Sequence, residues 1–135
     1  MGNVTGEVFF KIQEDYFPEN NWNDFIITII GNWVYAYLEF LKNNSKFEFN
    51  FMDGPFMLTG ILRNNNSVEI NYVKRNYSQN IIIYTEIVKK SEIGLLLIKA
   101  CRKTLKIMSK LGMVNSSHYS NMKKMFYQLK LVINK

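Results

Sequence analysis

The sequence predicts an α+β fold: a single domain over residues 1–135 in which an antiparallel meander sheet of four to five strands packs with about three helices. Three observations carry this expectation. Apolar residues recur with period two between Lys46 and Val88, the signature of strands with two different faces. They recur with helical period after Ser91. The breaks between these runs are short clusters of Asn, Gly, Pro and Ser, with no low-complexity linker and no internal repeat, so successive elements pack on one another. A chain of 135 residues fits one domain with a sizeable core, and its 47% hydrophobic and 15% aromatic content argues against disorder.

Taking the elements in order, Val8, Phe10 and Ile12 alternate with Glu7, Lys11 and Gln13 and predict a first strand. Asp15 to Asn23 reads as a loop. Residues 24–42 carry two signals. Phe25 to Ile30 is largely β-branched and suits a strand, yet Ile26, Ile30, Trp33, Tyr37 and Phe40 or Leu41 recur at helical spacing, with Asn23 or Asp24 placed to cap the start and Asn43-Asn44 the end. Helix is the expected outcome. Phe47, Phe49 and Phe51 then alternate with Lys46, Glu48 and Asn50. Asp53-Gly54-Pro55 makes a turn, Phe56 to Arg63 returns, Asn64-Asn65-Asn66 turns again, and Val68, Ile70 and Tyr72 alternate with Glu69 and Asn71. Ile81 to Val88 is apolar on both faces, which predicts a central strand covered on both sides. A helix from an N-cap at Ser91 to a stop at Gly112 follows, and a last helix spans residues 119–133 with Met122, Met125, Phe126, Leu129 and Ile133 on one face.

Charge is divided along the chain. Residues 1–87 hold six Lys or Arg against ten Asp or Glu, a net of −4, and residues 88–135 hold eleven against one, a net of +10, which together make the overall +6. Such a division offers two electrostatic surfaces to charged partners. On the helix after Ser91, at about 100° per residue, Lys99, Arg102, Lys103, Lys106 and Lys110 fall within roughly a third of the circumference. They read either as the solvated face of an amphipathic helix or as a docking strip for an anionic partner. Nucleic acid is one such partner. The strip holds no Asn, Gln or aromatic between its cations, so any stacking must come from elsewhere. The second feature is the segment Glu14 to Asp24, in which Glu14, Asp15, Glu19 and Asp24 accompany Trp22. Carboxylates steer cationic partners and aromatics anchor interfaces, so these five residues are candidates for contact with a protein.

Catalytic equipment is sparse. His118 is the single histidine and has no acids beside it. Cys101 is the single cysteine and reads as a small core residue, which excludes an intrachain disulfide and a cysteine cluster for zinc. No phosphate-binding glycine loop occurs, and Glu86 and Glu92 are too isolated to suggest a carboxylate pair. Trp33, Tyr35, Tyr37 and Phe40 are aromatics able to line a pocket, although core packing explains them first. No catalytic residue, metal or cofactor is expected. The apolar stretch from Phe25 is broken by Thr28, Gly31 and Asn32, and the first residues lack the basic start and apolar run of a signal peptide. The expectation is a cytoplasmic protein with no membrane partner.

One stretch carries a resemblance. A Trp-containing early helix, with Trp33, followed by a strand entering the turn Asp53-Gly54-Pro55-Phe56 and then by a meander and helices, resembles bacterial immunity proteins encoded beside polymorphic or contact-dependent growth-inhibition toxins. The resemblance covers the middle third of the chain. It implies a cytoplasmic, non-enzymatic inhibitor whose partner is one cognate protein toxin, often a nuclease, with the toxin's active site occluded. It transfers no binding residues. Immunity proteins against nucleases are commonly acidic and this chain is net positive. The contact is therefore expected either through the acidic Glu14 to Asp24 segment or, with an acidic toxin, through the Lys99 to Lys110 strip.

Overall fold

A computed structural model describes residues 4–43 and 45–133. The chain begins with two short hairpin-like pairings. β1 (Gly6–Glu7) pairs antiparallel with β4 (Asn23–Asp24), and β2 (Phe10–Ile12) with β3 (Asp15–Phe17). The expected first strand is thus split in two, and the expected loop contains two short strands of its own. α1 (Ile26–Asn43) follows, then β5 (Lys46–Asn50), β6 (Phe56–Leu62), β7 (Ser67–Lys74) and β8 (Ile81–Lys89), which form a four-stranded antiparallel meander in the order β5-β6-β7-β8. α2 (Lys90–Lys110) and α3 (Ser117–Ile133) complete the α+β fold.

The segment with two signals is helical from Ile26 onward. Ile26, Ile30, Trp33, Tyr37 and Phe40 lie on one buried face, and two polar atoms on that face find acceptors in neighbouring elements. Trp33 Nε1 donates to the Asn50 carbonyl at 2.8 Å, and the Tyr37 hydroxyl to the Lys90 carbonyl at 2.9 Å. These bonds tie α1 to the end of β5 and the start of α2, so burial of two large aromatics leaves no donor unpaired. Asn44, expected with Asn43 to end this helix, lies outside the described residues.

One face of the sheet lies against the helices. Phe47, Phe49, Leu58, Val68, Ile70 and Tyr72 join the core with residues of all three helices. At Phe47↔Gly60 the Phe47 ring fills the space where a Cβ on Gly60 would stand, 2.2 Å from its ring carbons. The opposite face carries a polar ladder, with Arg63 paired to Glu69, Glu69 accepting from Asn71, and Asn71 accepting from Thr85.

Two expectations are corrected. β8 is not a central strand: it pairs with β7 alone and stands at the sheet edge. An apolar run looks the same in sequence whether its second face is covered or bare. Ser91 is not the N-cap of α2 either. β8 runs directly into the helix, Lys89 holds the cap position in extended geometry without a side-chain bond, and the Lys90 amide donates to the Asn66 carbonyl at 2.7 Å. Gly112 does end the helix, with φ +74°, a conformation that glycine adopts without Cβ strain.

Candidate functional site

The acidic segment divides once its geometry is known. Glu14, Asp15 and Glu19 are exposed on and just after the β2–β3 hairpin. Asp24 is not available to a partner. It is 2% exposed, its Oδ1 accepts the Phe25 amide at 2.7 Å, and its Oδ2 accepts the Met52 and Asp53 amides, each at 3.1 Å, and Trp22 Nε1 at 3.2 Å. A buried carboxylate needs this many donors to offset its lost hydration. Trp22 is correspondingly half-buried, edge-on to Phe56 and Phe51 at 5.5 and 6.5 Å, and it staples the segment to the Asp53-Gly54-Pro55 turn. Asp24 and Trp22 hold the acidic segment in place, and the segment presents carboxylates without a free aromatic anchor.

The five cations of the second candidate surface, Lys99, Arg102, Lys103, Lys106 and Lys110, are all exposed on α2, and none forms an ion pair among the described residues. The opposite face of the helix is buried through Ile93, Leu97, Cys101, Thr104 and Met108. Lys103 Nζ reaches the Glu7 carbonyl at 3.4 Å. α3 supplies aromatic surface that is absent from the strip itself: Arg102 and Lys130 lie 5.6 and 4.9 Å from the centre of the Phe126 ring, beside the exposed Tyr127.

Two further features were not foreseen from the sequence. The first is the β8 edge. Ile81, Ile82, Ile83 and Ile87 are exposed by 43, 58, 50 and 59%, and the loop before the strand carries a fully exposed Tyr77. The pairing with β7 shifts between Tyr72 and Val73, leaving Ile83 opposite no residue. The second is a partly open pocket of about 180 Å³ lined by the sheet, α1, the start of α2 and the segment Val8–Phe10, with the exposed Glu92 and Leu96 at its border. Phe10, Trp33, Phe49, Leu58, Ile70 and Leu97 make it apolar, and Tyr72, Glu86 and Glu92 supply its polar atoms. The Tyr72 hydroxyl donates to Glu86 Oε1 at 2.7 Å. Burial, and then this bond to a carboxylate, push the Tyr72 phenol well above its usual range. Glu86 and Glu92, isolated in sequence, thus share one cavity. A signal for this was present, because Glu86 has the parity of Tyr84 and Val88 on the inward face of β8. Of the four aromatics weighed for a pocket, Trp33 lines the cavity, Tyr37 and Phe40 are core, and Tyr35 is exposed.

Cys101 is fully buried, which pushes its thiol up to about 12 and leaves it neutral. His118 is exposed in the first turn of α3. Among the described residues no three His, Cys, Asp or Glu side chains are grouped to hold a metal ion, and no helix is long and apolar enough to cross a membrane. No protein-family model, curated protein or solved structure matches the chain.

Proposed function

We propose that this chain is a non-catalytic protein-binding domain of the cytoplasm: an immunity protein that binds a cognate bacterial toxin of nuclease type and occludes its active site. The observation that carries the reading is the β8 edge. A nine-residue edge strand with four exposed isoleucines offers unpaired backbone donors and acceptors together with apolar anchors, the combination used when a partner adds a strand or lays an apolar surface along a sheet. Folded chains blunt such edges unless a partner covers them. Phe10 and Phe17 pack on Tyr72 at 6.0 and 5.2 Å, and Tyr72 pairs with Tyr84 of β8. The hairpin bearing Glu14 and Asp15 therefore packs over the inward face of the sheet, whereas Ile87 has the opposite, outward parity on β8. Inhibition follows from steric cover of the toxin's active site, without chemistry by this chain.

The test is recovery of the tagged protein from its native host after nuclease treatment and a high-salt wash. The expected result is one stoichiometric protein whose own enzymatic activity is silent in the complex and returns on dissociation, with binding abolished by Ile83→Lys combined with Ile87→Lys. Retention of nucleic acid at low salt, with no protein after the wash, would retire the immunity reading. It would favour the second reading, a nucleic-acid-binding module. That reading is supported by the five exposed cations of α2, none in an ion pair among the described residues, of which Arg102 lies over the Phe126 ring of α3, and its affinity would fall steeply with salt.

A further inference from the structure

We propose that the cavity between the meander sheet and α2 is a binding site for a small organic amine, with its apolar body among the aromatic side chains and its ammonium group at Glu86 and Glu92. The inference is independent of any protein partner.

Size comes first. A volume of about 180 Å³ is comparable to that of engineered apolar cavities of about 150 Å³ that take up benzene. The cavity therefore suits one ring, or a branched chain of about six to eight carbons. Its body is made by Phe10, Trp33, Phe49, Leu58 and Ile70, and Trp33 is itself fixed by stacking on Phe10 and Phe49 at 5.7 and 5.3 Å and by its bond to Asn50. The walls are thus set before a ligand arrives, which lowers the entropic cost of binding.

Charge decides the class. Glu86 and Glu92 are the charged groups that line the cavity. Glu86 Oε1 accepts from Tyr72, whereas Oε2 has no hydrogen-bond partner among the described residues, and Glu92 stands in the first turn of α2. A neutral hydrocarbon would cover the free Glu86 oxygen without pairing it, which is unfavourable. A carboxylate would meet two like charges. An ammonium group donates to both and lies near the faces of aromatic rings, where a cation is attracted. Lys99 and Lys103 line the adjoining cleft with Glu7 and Ile26 and do not line this cavity.

The experiment uses the full chain and three probes that share a ring and differ in charge: benzylamine, toluene and benzoate. Binding is followed by calorimetry, and the site is located by NMR shifts. The expected result is that benzylamine binds with shifts at Trp33, Tyr72 and Leu97, that toluene and benzoate bind at least about tenfold more weakly, and that Glu92→Gln weakens benzylamine on the order of tenfold. Glu86→Gln keeps an acceptor for Tyr72 and should act in the same direction. Glu92 is exposed, so its variant remains informative where the Glu86 variant fails to fold. Toluene or benzoate binding as tightly as benzylamine, affinity unchanged in Glu92→Gln, shifts confined to other surfaces, or no binding of any probe would each overturn the proposal.

Discussion

Replacing Asp24 tests the reasoning where sequence and structure part most sharply. The sequence offers Asp24 as one more acid on a partner-binding segment, whereas its geometry makes it the knot between that segment, the start of α1 and the Asp53-Gly54-Pro55 turn. Four N–H groups point at its carboxylate: the Phe25 amide at 2.7 Å, the Met52 and Asp53 amides at 3.1 Å, and Trp22 Nε1 at 3.2 Å. A hydrogen bond to a charged acceptor is worth about 1.5–3 kcal/mol net. Water can reach some of these donors after truncation, because Met52 and Asp53 have exposed side chains. Counting two of the four bonds as lost outright, Asp24→Ala costs about 3–5 kcal/mol. Asp24→Asn retains one carbonyl oxygen, turns its amide N–H groups toward donors on the other side, and loses the charge, at about 1.5–3 kcal/mol.

Urea unfolding followed by tryptophan fluorescence and circular dichroism measures both. With a slope near 2 kcal/mol/M, the alanine variant moves the midpoint down by about 1.5–2.5 M. The asparagine variant should fall between alanine and the unmodified chain. A loss below about 1 kcal/mol for Asp24→Ala, together with weakened partner binding, would refute the structural assignment and return Asp24 to the interface.

Four other outcomes are expected. Gly60→Ala places a methyl 2.2 Å from the Phe47 ring and should cost about 1–3 kcal/mol or more in thermal or urea melts, part of it regained by Phe47→Leu in the same chain. Cys101, its thiol pushed up to about 12 by burial, should resist a thiol reagent at pH 8 in the native protein and react at once in denaturant. Tyr37 is likewise pushed up to about 12 by burial, above the ordinary phenol value of about 10. Its contribution to stability is complete below about pH 10 and is lost as pH rises from there through about 12, which alkaline melts would show as a falling midpoint over that window. Ile83→Lys and Ile87→Lys, at exposed positions of β8, should each leave stability within about 0.5 kcal/mol while abolishing capture of a protein partner.

The meander was legible because its strands alternate and its turns are chemically marked; Lys46 to Lys74 folds as its period requires. α1 was legible despite its β-branched start because five large residues at helical spacing outweigh local strand propensity once a sheet is available to cover them. What failed depends on facts outside any local window. Coverage of a face by another element cannot be read from that face, so β8 looked central and is an edge. Ser91 looked like a cap, but a strand feeding a helix without a loop leaves the cap position to Lys89. The cavity was hidden for a related reason. Its two carboxylates lie on either side of a strand–helix junction, and only the fold of α2 over the sheet shows them a common space.

The divided charge, so plain in sequence, becomes unequal as surface. Four of the ten acids of the first 87 residues are committed: Asp24 to backbone amides, Glu69 to Arg63, Glu39 to Lys42, and Glu86 to Tyr72. Arg63 and Asn71 also hold the Glu69 carboxyl below its usual range. Glu7, Glu14, Asp15, Glu19, Glu48 and Asp53 remain exposed. The cations of α2 form no ion pair among the described residues, and they begin where β8 ends, because Lys89 closes the strand and Lys90 opens the helix. A partner laid along the isoleucine edge therefore meets apolar anchors first and the Lys89-Lys90 junction at the helix end. In the immunity reading, the net +6 that sits awkwardly with a basic nuclease is a property of the helical face, and the β8 edge carries the contact. An apolar strand edge of this length can hold a protein partner without a deep binding cleft, through backbone pairing and side-chain anchors.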